Sequence, residues 1–169
     1  MDKVAQLLNR MVADGVVSSY AVFGAVAQMR YAEAVATLDV DILVAVPDSA
    51  RLDVLTPLYE YCAKHGYHAE GEAVRVGAWP VQFIPFFDAL TKAALDHAET
   101  GDIDGIPLHV VRADYLGVIA LSVGRPKDFA RLLALIENGS VSPGTIQTLS
   151  VQYGLTAQWE RFRRRFLDD

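Results

Sequence analysis

Cysteine is nearly absent: Cys62 stands alone among 169 residues, which excludes an internal disulfide and any cysteine-built zinc site. Its helix-like surroundings read as those of a packed thiol rather than a nucleophile. Histidine is scarce as well, and His65, His68, His97 and His109 stand without a partner at ligand spacing, so none is assigned a metal. No uninterrupted apolar run reaches the roughly 18 residues that a bilayer span requires. The first residues, MDKVAQLLNRMVADG, carry charges and no long apolar centre, unlike a secretory signal. These absences lead us to expect a cytoplasmic protein with no membrane contact. Positive charge is also in deficit. A net charge of −6 argues against a broad nucleic-acid-binding surface, although it leaves nucleotide binding open.

What is present suits one packed unit. Apolar residues make up 52% of the chain, enough to bury a real core, and charged residues sit near the globular average. We expect a single domain over 1–169, with a mixed α/β part over 1–112 and a helical part over 113–169. Val4, Leu7, Leu8, Met11 and Val12 fall on one face of a helix that ends near Gly15. Tyr20 to Phe23 reads as a strand that turns at Gly24 into a helix-compatible segment, Ala25 to Glu33. Val40 to Val46 is a second apolar run. Leu52, Leu55, Tyr59 and Cys62 give a further helical face after a loop at Pro47, Asp48 and Ser49. Val74 to Phe86 reads as a hairpin turning at Gly77-Ala78-Trp79-Pro80. Phe87 to Ala98 is a weaker helix, Gly101 to Gly105 a turn or short strand, and Ile106 to Val111 another strand. Leu116, Ile119, Ala120 and Val123 then share a helix face, followed by three more helical patterns. The strand, helix and return strand from Val40 to Pro85 are those of a crossover in a mixed or parallel sheet.

Two acids carry the chemistry. Asp39 and Asp41 stand at alternate positions before ILVAV, and alternate strand residues share a face. The apolar run is of the kind buried on both faces, so the acids at its border are partly desolvated and need a cation, an arginine or a proton. One metal ion satisfies both. Gly24 permits a tight turn and the close approach of a ligand, and the amides of a following helix suit phosphate; an ordinary strand-to-helix turn reads equally from Gly24-Ala25. Thr37 either caps the start of the strand or touches a phosphate. Trp79 either stacks on a base or packs against the hairpin. Pro126 suits a first helical turn, where Asp128 is favoured electrostatically. Arg161, Arg163, Arg164 and Arg165 read as a solvated face, or else as a patch for a polyanionic or acidic protein partner.

Taken in order, Gly24-Ala25, Asp39 and Asp41 in TLDVDILV, the hairpin VRVGAWPVQFIPF and the helix GRPKDFARLLALIE resemble the nucleotidyltransferase superfold. This is the polymerase-beta-like group that includes minimal nucleotidyltransferases and abortive-infection toxins. The resemblance implies a mixed sheet flanked by helices with a helical C-terminal tail. It implies Mg2+ or Mn2+ on Asp39 and Asp41, and a nucleoside triphosphate contacted by Gly24, Ala25, Thr37, Arg125, Lys127 and Asp128. The activity implied is transfer of a nucleoside monophosphate to a protein, RNA or small-molecule acceptor, in a toxin–antitoxin or related system. Three departures bear on activity. Gln82 stands where the family carries a third acid, Ala25 where a serine hydroxyl is common, and Val35 where many relatives have an arginine. The alternative implied is a weak or inactive module of the same fold that binds a protein partner.

Overall fold

A computed structural model describes residues 1–33, 37–47 and 53–168. Its frame is a seven-stranded mixed sheet in the order β3-β4-β5-β2-β1-β7-β6. These strands are β1 (Ser19–Phe23), β2 (Val40–Ala45), β3 (Ala69–Glu70), β4 (Ala73–Val76), β5 (Trp79–Pro85), β6 (Glu99–Ile103) and β7 (Ile106–Val110). The helices are α1 (Asp2–Ala13), α2 (Gly24–Gln28), α3 (Thr56–Lys64), α4 (Ala89–Asp96), α5 (Ala113–Val123), α6 (Pro126–Glu137), α7 (Pro143–Gln152) and α8 (Thr156–Phe166). The mixed α/β architecture with a helical C-terminal part is the one expected. Among the described residues no helix is long and apolar enough to cross a membrane.

The two parallel pairings are the long-range ones. β2 runs parallel to β5 through the α3 crossover, and β1 runs parallel to β7. β1 and β2 are antiparallel, from Ser19 opposite Ala45 to Phe23 opposite Asp41. Ile42, Leu43 and Val44 are all fully buried, as a strand covered on both faces requires. Helix α5 is buried from Tyr115 to Leu121 and forms the axis on which the C-terminal helices pack. Buried side chains from Val4 through Leu116 to Phe162 belong to one contiguous apolar cluster. Cys62 lies within it, and burial pushes its thiol up to about 11, as befits a packed, unreactive group.

Several boundaries differ from the sequence reading. Val12 and Val123 lie at the edges of their apolar stripes and are exposed. The β4–β5 hairpin turns on Gly77-Ala78 alone, with Trp79 opposite Val76 and already in β5. Trp79 is half-buried and packs against the core. Of the turn or short strand expected over Gly101 to Gly105, the strand is present and begins earlier, as the edge strand Glu99–Ile103. Asp104 and Gly105 connect it to β7, both with positive φ (53° and 82°), the conformation that a two-residue Asp-Gly hairpin loop favours. Helix α2 stops at Gln28 instead of running to Glu33. Beyond it the chain tightens, with Arg30 and Tyr31 donating to carbonyls three residues back. The Tyr31 carbonyl then accepts from the side chains of Asn138 and Ser140. The expectations at Val35, Asp48, Ser49 and Leu52 lie outside the described residues.

Candidate active site

The acids gather at one end of the sheet, where its central strand β2 begins. Asp41 is the second residue of β2, flanked by Phe23 on β1 and by Gln82 on β5. Val81 and Phe83 turn into the core, so strand alternation places Gln82 on the face of Asp41. Asp39 lies one residue before the strand, and both acids are half-buried. The Thr37 hydroxyl stands 3.0 Å from the Asp39 carbonyl and 3.2 Å from its Oδ1. It therefore braces the first acid.

Gly24 is favoured here by its backbone conformation, and its bareness lets Asp41 lie against it. Its φ of +65° is a conformation that L side chains rarely adopt, and a Cβ on it would collide with Asp41 Oδ2. The strand-to-helix turn therefore packs its bare backbone directly on the acid. Helix α2 spans only five residues, too short for a substantial dipole, so the turn contributes close approach more than field.

Helix α6 supplies the opposite charge. Burial, and then the neighbouring Asp39, raise the Asp41 carboxyl above its ordinary value, while Arg131, Lys127 and Arg125 act to lower it. Desolvation conversely lowers Arg131, opposed by Asp128 and Asp41. Arg125 and Lys127 are exposed. Asp128 is buried at the third position of α6, where its Oδ2 accepts from Arg125 Nε at 2.7 Å and from the Arg125 backbone N–H at 3.3 Å. Its Oδ1 lies 3.7 Å from Arg131 Nη1. Asp128 thus joins helix capping to the holding of two guanidinium groups.

Sequence reasoning missed Arg131 and Gln28. Arg131 Nε donates to Gln28 Oε1 at 3.0 Å, across a separation of 103 residues. The spacing of Arg131 from Asp128 on one helix face was a visible signal, whereas its pairing with Gln28 on α2 was not. Openings of about 370 Å³ beside α3 and about 670 Å³ among α5, α6 and α8 both lie away from the acids. The charge arrangement is the better guide, because paired half-buried acids demand a partner. Among the described residues no group of three or more His, Cys, Asp or Glu side chains is placed to hold a metal.

By whole-structure superposition, the chain matches the antibiotic-resistance factor ANT(2″)-Ia with a TM-score of 0.55 at 12% identity. The match covers 96% of this chain and 99% of that one. An antigenic nucleotidyltransferase-like protein from Paracoccidioides brasiliensis matches with a TM-score of 0.55 at 14% identity, over 94% of this chain and 93% of that one. Compared by sequence, neither a protein-family model nor a curated protein matches the chain. The likeness is one of fold: the chain has a nucleotidyltransferase-type fold.

Proposed function

We propose that this protein transfers a nucleoside monophosphate from a nucleoside triphosphate to an acceptor, at a magnesium or manganese ion held by Asp39 and Asp41. The observation that carries the reading is the half-buried acid pair, with Asp41 packed against bare Gly24 under the cations of α6. Two carboxylates are oxygen donors of the kind that suit a hard divalent ion. When bound, such an ion offsets the charge that develops on phosphate oxygens.

The chain's own residues do the rest. Asp39 and Asp41 bind, and Thr37 orients Asp39. Gly24 and Ala25 bring the backbone close, and Arg125 and Lys127 face the phosphates while Asp128 holds Arg125 in place. In the transfer, an acceptor hydroxyl oxygen forms a bond to the α-phosphorus, pyrophosphate leaves with the electron pair of the broken P–O bond, and the hydroxyl proton passes to solvent. A cytoplasmic setting, with its nucleoside triphosphates, suits this reading. The test is a melting curve with magnesium and each triphosphate in turn. Ligand at a hundredfold excess over its dissociation constant adds about 2.7 kcal/mol, or about 5–10 °C here. If no pair moves the midpoint, or if Asp39→Asn with Asp41→Asn leaves the shift intact, the proposal fails. Transfer itself is read as incorporation of labelled nucleotide into protein, RNA or small molecules of a cell extract.

A second reading is favoured by Gln82, which faces Asp41 with a neutral amide. Two charges serve one ion and serve a second poorly, so the fold then acts as a slow enzyme or as a binding module for a protein partner, as in a toxin–antitoxin pair. Gln82→Asp separates the readings. A slow enzyme limited by Gln82 gains second-metal binding and transfer rate, whereas if the variant folds and gains neither, Gln82 is not what limits activity.

A further inference from the structure

Arg131 differs from the other cations of α6 in being built into the protein, with 17% of its side chain exposed. A guanidinium has five N–H donors and no acceptor. Gln28 and Asp128 engage two of its nitrogens, which leaves further N–H groups beyond these two contacts, and Asp41 is among the charges that act on the guanidinium. Gln28 is itself only 1% exposed. Because Arg131 can only donate, it fixes the Gln28 amide with Oε1 toward the guanidinium, and Nε2 is left buried with no partner among the described residues. Gln28 stands one turn above Gly24 on the same face of α2, and Gly24 abuts Asp41. Donors from two elements far apart in sequence thus converge beside the acid pair, short of acceptors. A ligand rich in acceptor oxygens and free of donors is a polyphosphate.

We propose that Arg131 binds the polyphosphate of the incoming nucleotide, and that Gln28 and Asp128 are positioning residues that aim it. A phosphate oxygen, or a water bound to it, then supplies the acceptor that Gln28 Nε2 lacks. This inference rests on the reading of this end of the sheet as a nucleotide site and adds to it two residues that the family resemblance did not name.

The test is calorimetric titration of the full chain, at fixed excess magnesium, with inorganic tripolyphosphate and separately with ATP, GTP, CTP and UTP. Arg131→Met weakens tripolyphosphate binding about ten-fold or more, the effect of a lost charged hydrogen bond. Arg131→Lys recovers part of it, and carries the test should Arg131→Met fail to fold. Gln28→Glu gives Arg131 a closer counter-charge, so it raises the melting temperature while weakening tripolyphosphate binding, an opposition that a purely structural Gln28 would not produce. Arg165→Ala, on the far helix α8, leaves binding unchanged. If the unaltered protein binds tripolyphosphate and the Arg131 and Gln28 variants bind it equally well, the inference is overturned and the nucleotide reading stands. If the unaltered protein binds neither tripolyphosphate nor any nucleotide, both fall. Binding that depends on Arg131 but is indifferent to Asp39→Asn with Asp41→Asn supports Arg131 and overturns the metal site.

Discussion

The chain carries two clusters of positive charge, and they are built differently. On α8, Arg161, Arg164 and Arg165 are exposed. Their neighbour Arg163 pairs with Glu160 at 3.1 Å and Asp168 at 2.8 Å, both within five residues, and Arg165 lies over the adjacent Phe166 ring. At the start of α6, Arg125 and Arg131 pair with the buried Asp128, and with Lys127 they act on Asp41 of β2. The α8 cluster is the denser in sequence, yet its described partners are local and solvated. The α6 cluster is sparse in sequence, but its Arg131 has a partner brought from far along the chain, at a cost in desolvation. Cations that a fold desolvates and pairs over long range are the better candidates for function, because an unsatisfied buried charge is expensive.

The strongest way to break this comparison is Asp128→Ala. It leaves the half-buried Arg131 without its carboxylate, a loss of about 3 kcal/mol, read as a fall of about 6–12 °C in melting temperature. A change within error would place the α6 cluster on the same footing as that of α8. Next comes Gly24→Ala, which forces a methyl-bearing residue into φ +65° and against Asp41. We expect a loss of about 4 °C together with a weakened response to magnesium and triphosphate; a variant that melts and responds as before would mean that Asp41 moves aside freely.

A pH series on Asp41→Asn sharpens the comparison further. Burial, with Asp39 second, raises the Asp41 carboxyl from 3.8. The folded protein therefore holds this proton to higher pH than the unfolded chain does. The stability it contributes is complete below 3.8 and is lost as pH rises through the raised value. Without divalent ions, the variant and the unaltered protein should melt alike near about pH 3, and the variant should be the more stable at neutral pH. The reverse order at neutral pH would show that the α6 cations outweigh burial. The smallest effect is expected on α8, where Arg164→Ala with Arg165→Ala should leave melting within about 2 °C and nucleotide response untouched. A loss of response there would move the phosphate contact to the wrong helix.

Much of this end of the sheet was legible because its signals are local. Asp39 and Asp41 share a side through strand period alone, and the run after them declares its burial by composition. Gly24 marks a turn in any reading, whereas Gln82 was singled out by the family resemblance and is set beside Asp41 by the β2–β5 register. Some legible signals were passed over: Asp104-Gly105 is a strong hairpin loop, and Asp88 with Thr91 forms a capping box at the start of α4. Helix α2 was read too long because Ala25 to Glu33 is locally compatible with helix. What ends it includes a contact of the Tyr31 carbonyl with residues more than 100 positions away.

By itself the sequence determined the order and type of most elements and the acid pair, since each depends on periodicity or on neighbours within a few residues; Gln82 at the third position was implied only by the family resemblance. Tertiary structure alone decided which cations meet the acids. Arg131 is one arginine among many until α6 packs beside α2, where Gln28 and Asp128 hold its guanidinium and the loss of water makes each missing partner costly. That energy depends on distance and desolvation, neither of which is written in the spacing of residues along the chain.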